Sequence, residues 1–113
     1  MDNEALEEVF QSLGRVTIRR MFSGKGIYHD GLIMALVVDG ELLLKADEVS
    51  APAFEEAGAR RWVYSGSARK SPVRMPYWSV PDVAYDDPEE MAKWVRLAYE
   101  AALRAPPPRG QRK

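Results

Sequence analysis

RRMFSGKGIYHDGLIMALVVDGELLLKAD, residues 19–47, is the stretch whose reading decides the fold. Two Asp-Gly pairs, Asp30-Gly31 and Asp39-Gly40, interrupt runs rich in Ile, Val, Leu and Tyr. Such pairs accept the positive backbone angles of type I′ hairpin turns, so a meander of three antiparallel strands follows: residues 26–29, 32–38 and 41–45. The middle strand, LIMALVV, is apolar on both side-chain parities. Either both of its faces are covered or one of them meets a second chain. This is a scaffold signal and carries no catalytic pattern.

Outside this stretch, residues 15–22, RVTIRRMF, alternate as a half-buried strand, with Val16, Ile18, Arg20 and Phe22 on one parity. An arginine on the apolar parity requires a carboxylate partner or an exit at a sheet edge, because an unpaired buried charge is costly. Pairing is the expected account of Arg20. The glycines of Ser23-Gly24-Lys25-Gly26 lead into Ile27-Tyr28 rather than into a helix, so they are read as a tight strand connection and not as a phosphate loop. His29 is the single histidine and cysteine is absent, which excludes thiolate chemistry, disulfides and cysteine metal sites; no metal or other cofactor is expected.

Three helices frame the strands. Leu6, Val9, Phe10 and Leu13 form one apolar stripe, capped by Asp2 or Asn3 and ended by Gly14. Residues 47–58 form a short helix with Asp47 or Ser50 as cap, Pro52 in its first turn, Phe54 as anchor and Gly58 as terminator. Asp87-Pro88-Glu89-Glu90 opens the last helix as a capping box, and Met91, Trp94, Val95, Ala98, Ala101, Ala102 and Ala105 then share one face. Ala105-Pro106-Pro107-Pro108 ends it, and residues 106–113 read as a disordered basic tail.

Between the second and third helices lies a second hairpin, residues 61–65 and 75–80, around a long loop. Arg60, Arg61, Arg69, Lys70 and Arg74 fall here without an acid, beside Trp62, Tyr64, Tyr77 and Trp78. Cations interleaved with aromatic faces suit single-stranded nucleic acid, but a solvated strand loop has the same composition, and the rest of the chain opposes a polyanion. Formal charge is -1, and Arg109, Arg112 and Lys113 sit in the last eight residues, so residues 1–105 carry -4. The chain, 113 residues long, buries about two-thirds of its unfolded surface as one domain. Its amphipathic, acidic start and short apolar runs predict a cytoplasmic protein without a membrane segment.

The ordered set Arg20-Met21-Phe22-Ser23-Gly24-Lys25-Gly26-Ile27-Tyr28 with Asp30-Gly31, Leu44-Lys45-Ala46-Asp47, Phe54-Glu55-Glu56-Ala57-Gly58, Met75-Pro76-Tyr77-Trp78-Ser79-Val80-Pro81, and Trp94 with Ala98 and Ala102 resembles the N-terminal domain of the TfoX/Sxy family. These are bacterial proteins linked to natural competence regulation. The resemblance spans about residues 13–105, with Ser23 where the family usually has the first glycine of Met-Phe-Gly-Gly. It implies an α+β two-layer, secretion-chaperone-like fold in the order α-β-β-β-α-β-β-α, an antiparallel sheet of about five strands, the first read as whole or split. It also implies a stand-alone member lacking the second, helical domain of the competence regulators, and structural roles for Arg20, Met21, Phe22, Gly24, Gly26, Lys45 and Trp94. No nucleophile–base–acid set is identifiable. The expectation is a non-enzymatic regulatory or adaptor domain, a homodimer acting through protein contacts. Nucleic-acid binding through Arg60, Arg61, Arg69, Lys70, Arg74, Tyr77, Trp78 and the tail is the alternative.

Overall fold

Both Asp-Gly pairs turn the chain in the left-handed region, with φ of 51° and 80° at Asp30 and Gly31 and of 52° and 80° at Asp39 and Gly40. Those angles make the tight primed turns that match strand twist. The computed structural model describes residues 1–21, 24–65 and 71–106. In chain order the elements are α1 (Asn3–Val9), β1 (Thr17–Met21), β2 (Gly24–His29), β3 (Leu32–Val38), β4 (Glu41–Lys45), α2 (Ala51–Glu56), β5 (Arg61–Tyr64), β6 (Val73–Ser79), a 3-10 turn (Asp82–Asp86) and α3 (Pro88–Arg104). The strands form one antiparallel sheet in the order β1-β2-β3-β4-β6-β5. Six strands replace the expected five, because the first strand is split into β1 and β2. Of the expected tail, residues 106–113, all but Pro106 lie outside the described residues.

Paired residues in neighbouring strands share a face, and alternate residues of one strand face opposite ways. The row Ile18, Ile27, Ala35, Leu44, Trp78 therefore runs across one side of the sheet. It is the inner side, packed against Leu6 and Phe10 of α1, Phe54 of α2 and Trp94, Val95, Ala98 and Ala102 of α3. Phe54 lies between two tryptophans, its ring centroid 4.8 Å from Trp94 and 6.2 Å from Trp78. Burying a large apolar side chain contributes roughly 1.5–3 kcal/mol, so this aromatic trio fixes α2 and α3 to the sheet. Between the pairs Tyr28–Ile33 and Ile27–Ala35 the ladder shifts and leaves Met34 as the extra residue of a β-bulge, buried in the core. A second register shift, between Arg61 and Val63, lies opposite the part of β6 that contains Pro76, where a missing N–H is tolerated.

Local chemistry sets the helix ends. The Asp2 carboxylate accepts from the Ala5 N–H, and Asp87 accepts from the N–H groups of Glu89 and Glu90. The capping box is only half formed. Glu90 turns forward and accepts the indole N–H of Trp94 at 3.3 Å, because a buried indole donor needs a partner more than the Asp87 N–H, which already donates to the Ala84 carbonyl. Asp47 lies before α2 rather than in it. One of its carboxylate oxygens accepts from the N–H groups of Val49 and Ser50, and the Arg104 guanidinium at the end of α3 holds both oxygens at 2.7 and 2.9 Å. The Arg104 hydrogen bond, aided by those N–H groups, lowers the Asp47 pKa to about 2.

Two expectations change at the edges of the sheet. Arg20 faces the helix side but is exposed at the end of a row on edge strand β1, with no carboxylate partner among the described residues, so the edge and not pairing accounts for it. Its row neighbour Lys25 donates to the Met1 carbonyl and to Asn3 Oδ1. His29 is held structurally: Nδ1 is 2.8 Å from the Arg15 carbonyl, and its ring meets Tyr99 edge-on at 4.9 Å.

Candidate functional site

The basic hairpin singled out by composition does not assemble into one surface. Arg60 is exposed and paired with Glu41 at 2.7 Å. Arg61 donates to the carbonyls of Met75 and Arg74 in its own hairpin, so its guanidinium serves the bulged ladder. Arg74 is exposed on β6, whereas Arg69 and Lys70 lie outside the described residues, as does Phe22. Tyr77 and Trp78 are 6% and 7% exposed. The structure places Trp78 in the inner core and Tyr77 on the opposite side, so neither offers an open ring for base stacking. The reason is parity: consecutive residues of a central strand cannot share a face.

The outer side of the sheet, turned away from the helices, gathers a different set. The row Arg19, Gly26, Leu36, Leu43, Ser79 crosses it, and Tyr28, Ile33, Lys45 and Tyr77 lie on the same side by register. Two cations sit over two tyrosines: the Arg19 guanidinium is 5.4 Å from the Tyr28 ring centroid and Lys45 Nζ is 5.3 Å from that of Tyr77. Contacts of this kind contribute about 0.5–1 kcal/mol at exposed sites. Burial, assisted by the neighbouring Tyr28, raises the Tyr77 hydroxyl to about 12, which also shows the two rings to be within electrostatic reach. Desolvation lowers the Lys45 pKa, and Asp47 only partly opposes it. Gly26 forms the floor between these groups: a Cβ there would lie 2.9 Å from Met21 Cε, 3.2 Å from Tyr28 Cε1 and 3.3 Å from Ile33 Cδ1.

Next to this set a cleft of about 460 Å³ opens between the β1–β3 end of the sheet and β5, lined chiefly by Met21, Lys25, Leu36, Val38, Trp62 and Tyr64. That β5 and β1 border one cleft, although they are opposite edges in strand order, means that the sheet curls toward its outer side. Of these groups Lys45, Met21, Gly26 and Tyr77, with Trp62 and Tyr64 of the second hairpin, had been singled out in the sequence. Arg19 and Tyr28 were missed; the turn at Asp30-Gly31 fixes their shared parity, but nothing local tells that parity apart from the core one. Among the described residues no group of three or more His, Asp and Glu side chains could hold a metal, and no helix is long and apolar enough to cross a membrane.

A six-stranded antiparallel sheet with three helices on its inner side defines an α+β two-layer domain. Residues 8–102 match the TfoX N-terminal domain family, and the chain belongs to that family. Over 99 residues it is 29% identical to the DNA transformation protein TfoX1 of Aliivibrio fischeri (strain ATCC 700601 / ES114), a match that covers 84% of this chain and 46% of that protein. The chain thus spans less than half the length of the curated relative it matches.

Proposed function

We propose that the protein is a non-enzymatic regulatory or adaptor domain that acts through protein–protein contacts in competence-type regulation. The observation that carries this reading is the outer face of the sheet, where Tyr28, Ile33, Leu36 and Val38 are only partly buried on the side turned away from the helices. A half-covered apolar sheet face is a surface for a partner rather than a cavity for chemistry. Membership of the TfoX N-terminal domain family fits a competence-related regulatory role. Reactive groups that could argue for catalysis are otherwise engaged: His29 bonds the Arg15 carbonyl, and Asp47 is held by Arg104.

The test places this domain in the Aliivibrio fischeri relative in exchange for the segment it aligns with and scores transformation frequency. The exchanged domain should support transformation, and Leu36→Glu with Val38→Glu should lower it by about tenfold or more while circular dichroism shows the fold intact. A folded double variant that supports transformation as well as the parent overturns the contact surface. Failure of the parent exchange overturns the competence role.

A further inference from the structure

Charge in this chain is sorted by layer. The segments that build the helices, residues 1–14, 46–59 and 82–106, hold fourteen acids and three bases, whereas the described segments that build the sheet, residues 15–21, 24–45, 60–65 and 71–81, hold three acids and eight bases. The acids of the sheet segments leave the cation–tyrosine set unneutralised. Asp30 accepts from Tyr99 of α3, Asp39 stands in the β3–β4 turn at the rim of the cleft, and Glu41 is taken by Arg60. Arg19 and Lys45 have tyrosine rings against them and, among the described residues, no carboxylate in ion-pair contact. Lys45 is drawn partly out of water, and Asp47, which supports its charge, is already held by Arg104, so a further anion that reaches Lys45 stabilises it.

We propose that the outer face binds an acidic segment of a partner protein, whose carboxylates meet Arg19 and Lys45 and whose apolar side chains lie in the adjoining cleft against Leu36 and Trp62. This deepens the adaptor reading above and rests on it. A carboxylate-bearing segment is favoured over nucleic acid for two reasons on the molecule itself. The acidic helix layer repels a long polyanion, and of the two adjacent aromatics of β6 Trp78 faces the core and Tyr77 is buried under Lys45, so neither ring is open to a base. It is favoured over a second copy because an acidic helix layer docked on this face makes a head-to-tail contact, which leaves both surfaces unsatisfied at the ends of any pair and is complete only in a ring or a filament.

Display of random linear peptides against the domain, with counter-selection against Arg19→Gln/Lys45→Gln, tests the assignment. Selected peptides should interleave Asp or Glu with apolar residues, and fluorescence anisotropy should show their Kd weakened about tenfold or more by the double variant and by added salt. Thermal unfolding of the double variant verifies that its fold is kept. Peptides without acidic bias that are lost with Leu36→Glu but not with the charge variant overturn the acidic partner and leave the adaptor reading standing. No peptide mapping to the outer face overturns both. Binding of a labelled single-stranded oligonucleotide that the charge variant abolishes, with no acidic peptide selected, assigns the face to phosphate instead.

Discussion

The two sides of the sheet are built from alternate residues of the same strands and have opposite chemistry. On the inner side Ile27, Ala35 and Leu44 are fully buried under helices that bring Phe54 and Trp94 down onto them. On the outer side Gly26, Leu36 and Leu43 occupy the neighbouring row, flanked by tyrosines with cations laid over them. The inner side derives its stability from area removed from water; the outer side keeps polar groups at the surface of a shallow apolar floor. One side holds the fold, and the other carries the proposed contact surface.

The sharpest way to break this contrast is on the inner side. Trp94→Ala should destabilise by about 3–5 kcal/mol, since the ring packs at a tilt against Phe54 and its loss leaves a cavity under α3. Chemical denaturation measures it, and a loss of a few tenths would move Trp94 out of the core. A smaller effect separates two glycines of β2. A Cβ on Gly24 would lie 1.9 Å from the backbone carbonyl oxygen of Val37, whereas at Gly26 it meets only side-chain ends. Gly24→Ala should therefore cost about 1–3 kcal/mol as an overpacking change. Gly26→Ala should stay within about 1 kcal/mol, its crowding offset by the lower entropy of the unfolded chain. Equal costs would show that the two positions are not distinguished by backbone contact.

The mildest change concerns the outer side alone. Because burial lowers the Lys45 pKa in the folded chain, its charge opposes folding below that lowered value, and stability rises as pH climbs from there toward the unfolded value of 10.5. Lys45→Met should leave stability at neutral pH unchanged or slightly raised and should remove that alkaline rise. A variant that melts earlier than the parent at neutral pH would mean that the Lys45–Tyr77 contact outweighs desolvation.

How much of this was legible in the chain follows from how local each signal is. Asp-Gly turns are written in adjacent residues, so both hairpins could be placed, whereas the bulge at Met34 that shifts the β2–β3 register could not. The stripe of α1, the Phe54 anchor and the face of α3 are periodic and were readable for the same reason. Curl and choice of face are not local. LIMALVV is apolar on both parities, and Tyr77-Trp78 places an aromatic on each, so nothing in the strand itself says which side meets the helices. Arg20 misled because its parity is the inner one, and only the strand order reveals that its row ends at an edge. Glu90 misled because the capping pattern does not register a buried indole four residues on.

One contact described above has a mechanical meaning. Asp47 ties the entry of α2 to Arg104, the last residue of α3, through two short charged hydrogen bonds across 57 residues of sequence. A pull on the chain beyond Arg104 would load that pair before it could peel α3 from the sheet, as it would a latch. With the Asp47 carboxyl held at about 2, protonation releases it only as pH falls through that value. Tension transmitted along the chain would meet a closed latch at any pH a living cell maintains.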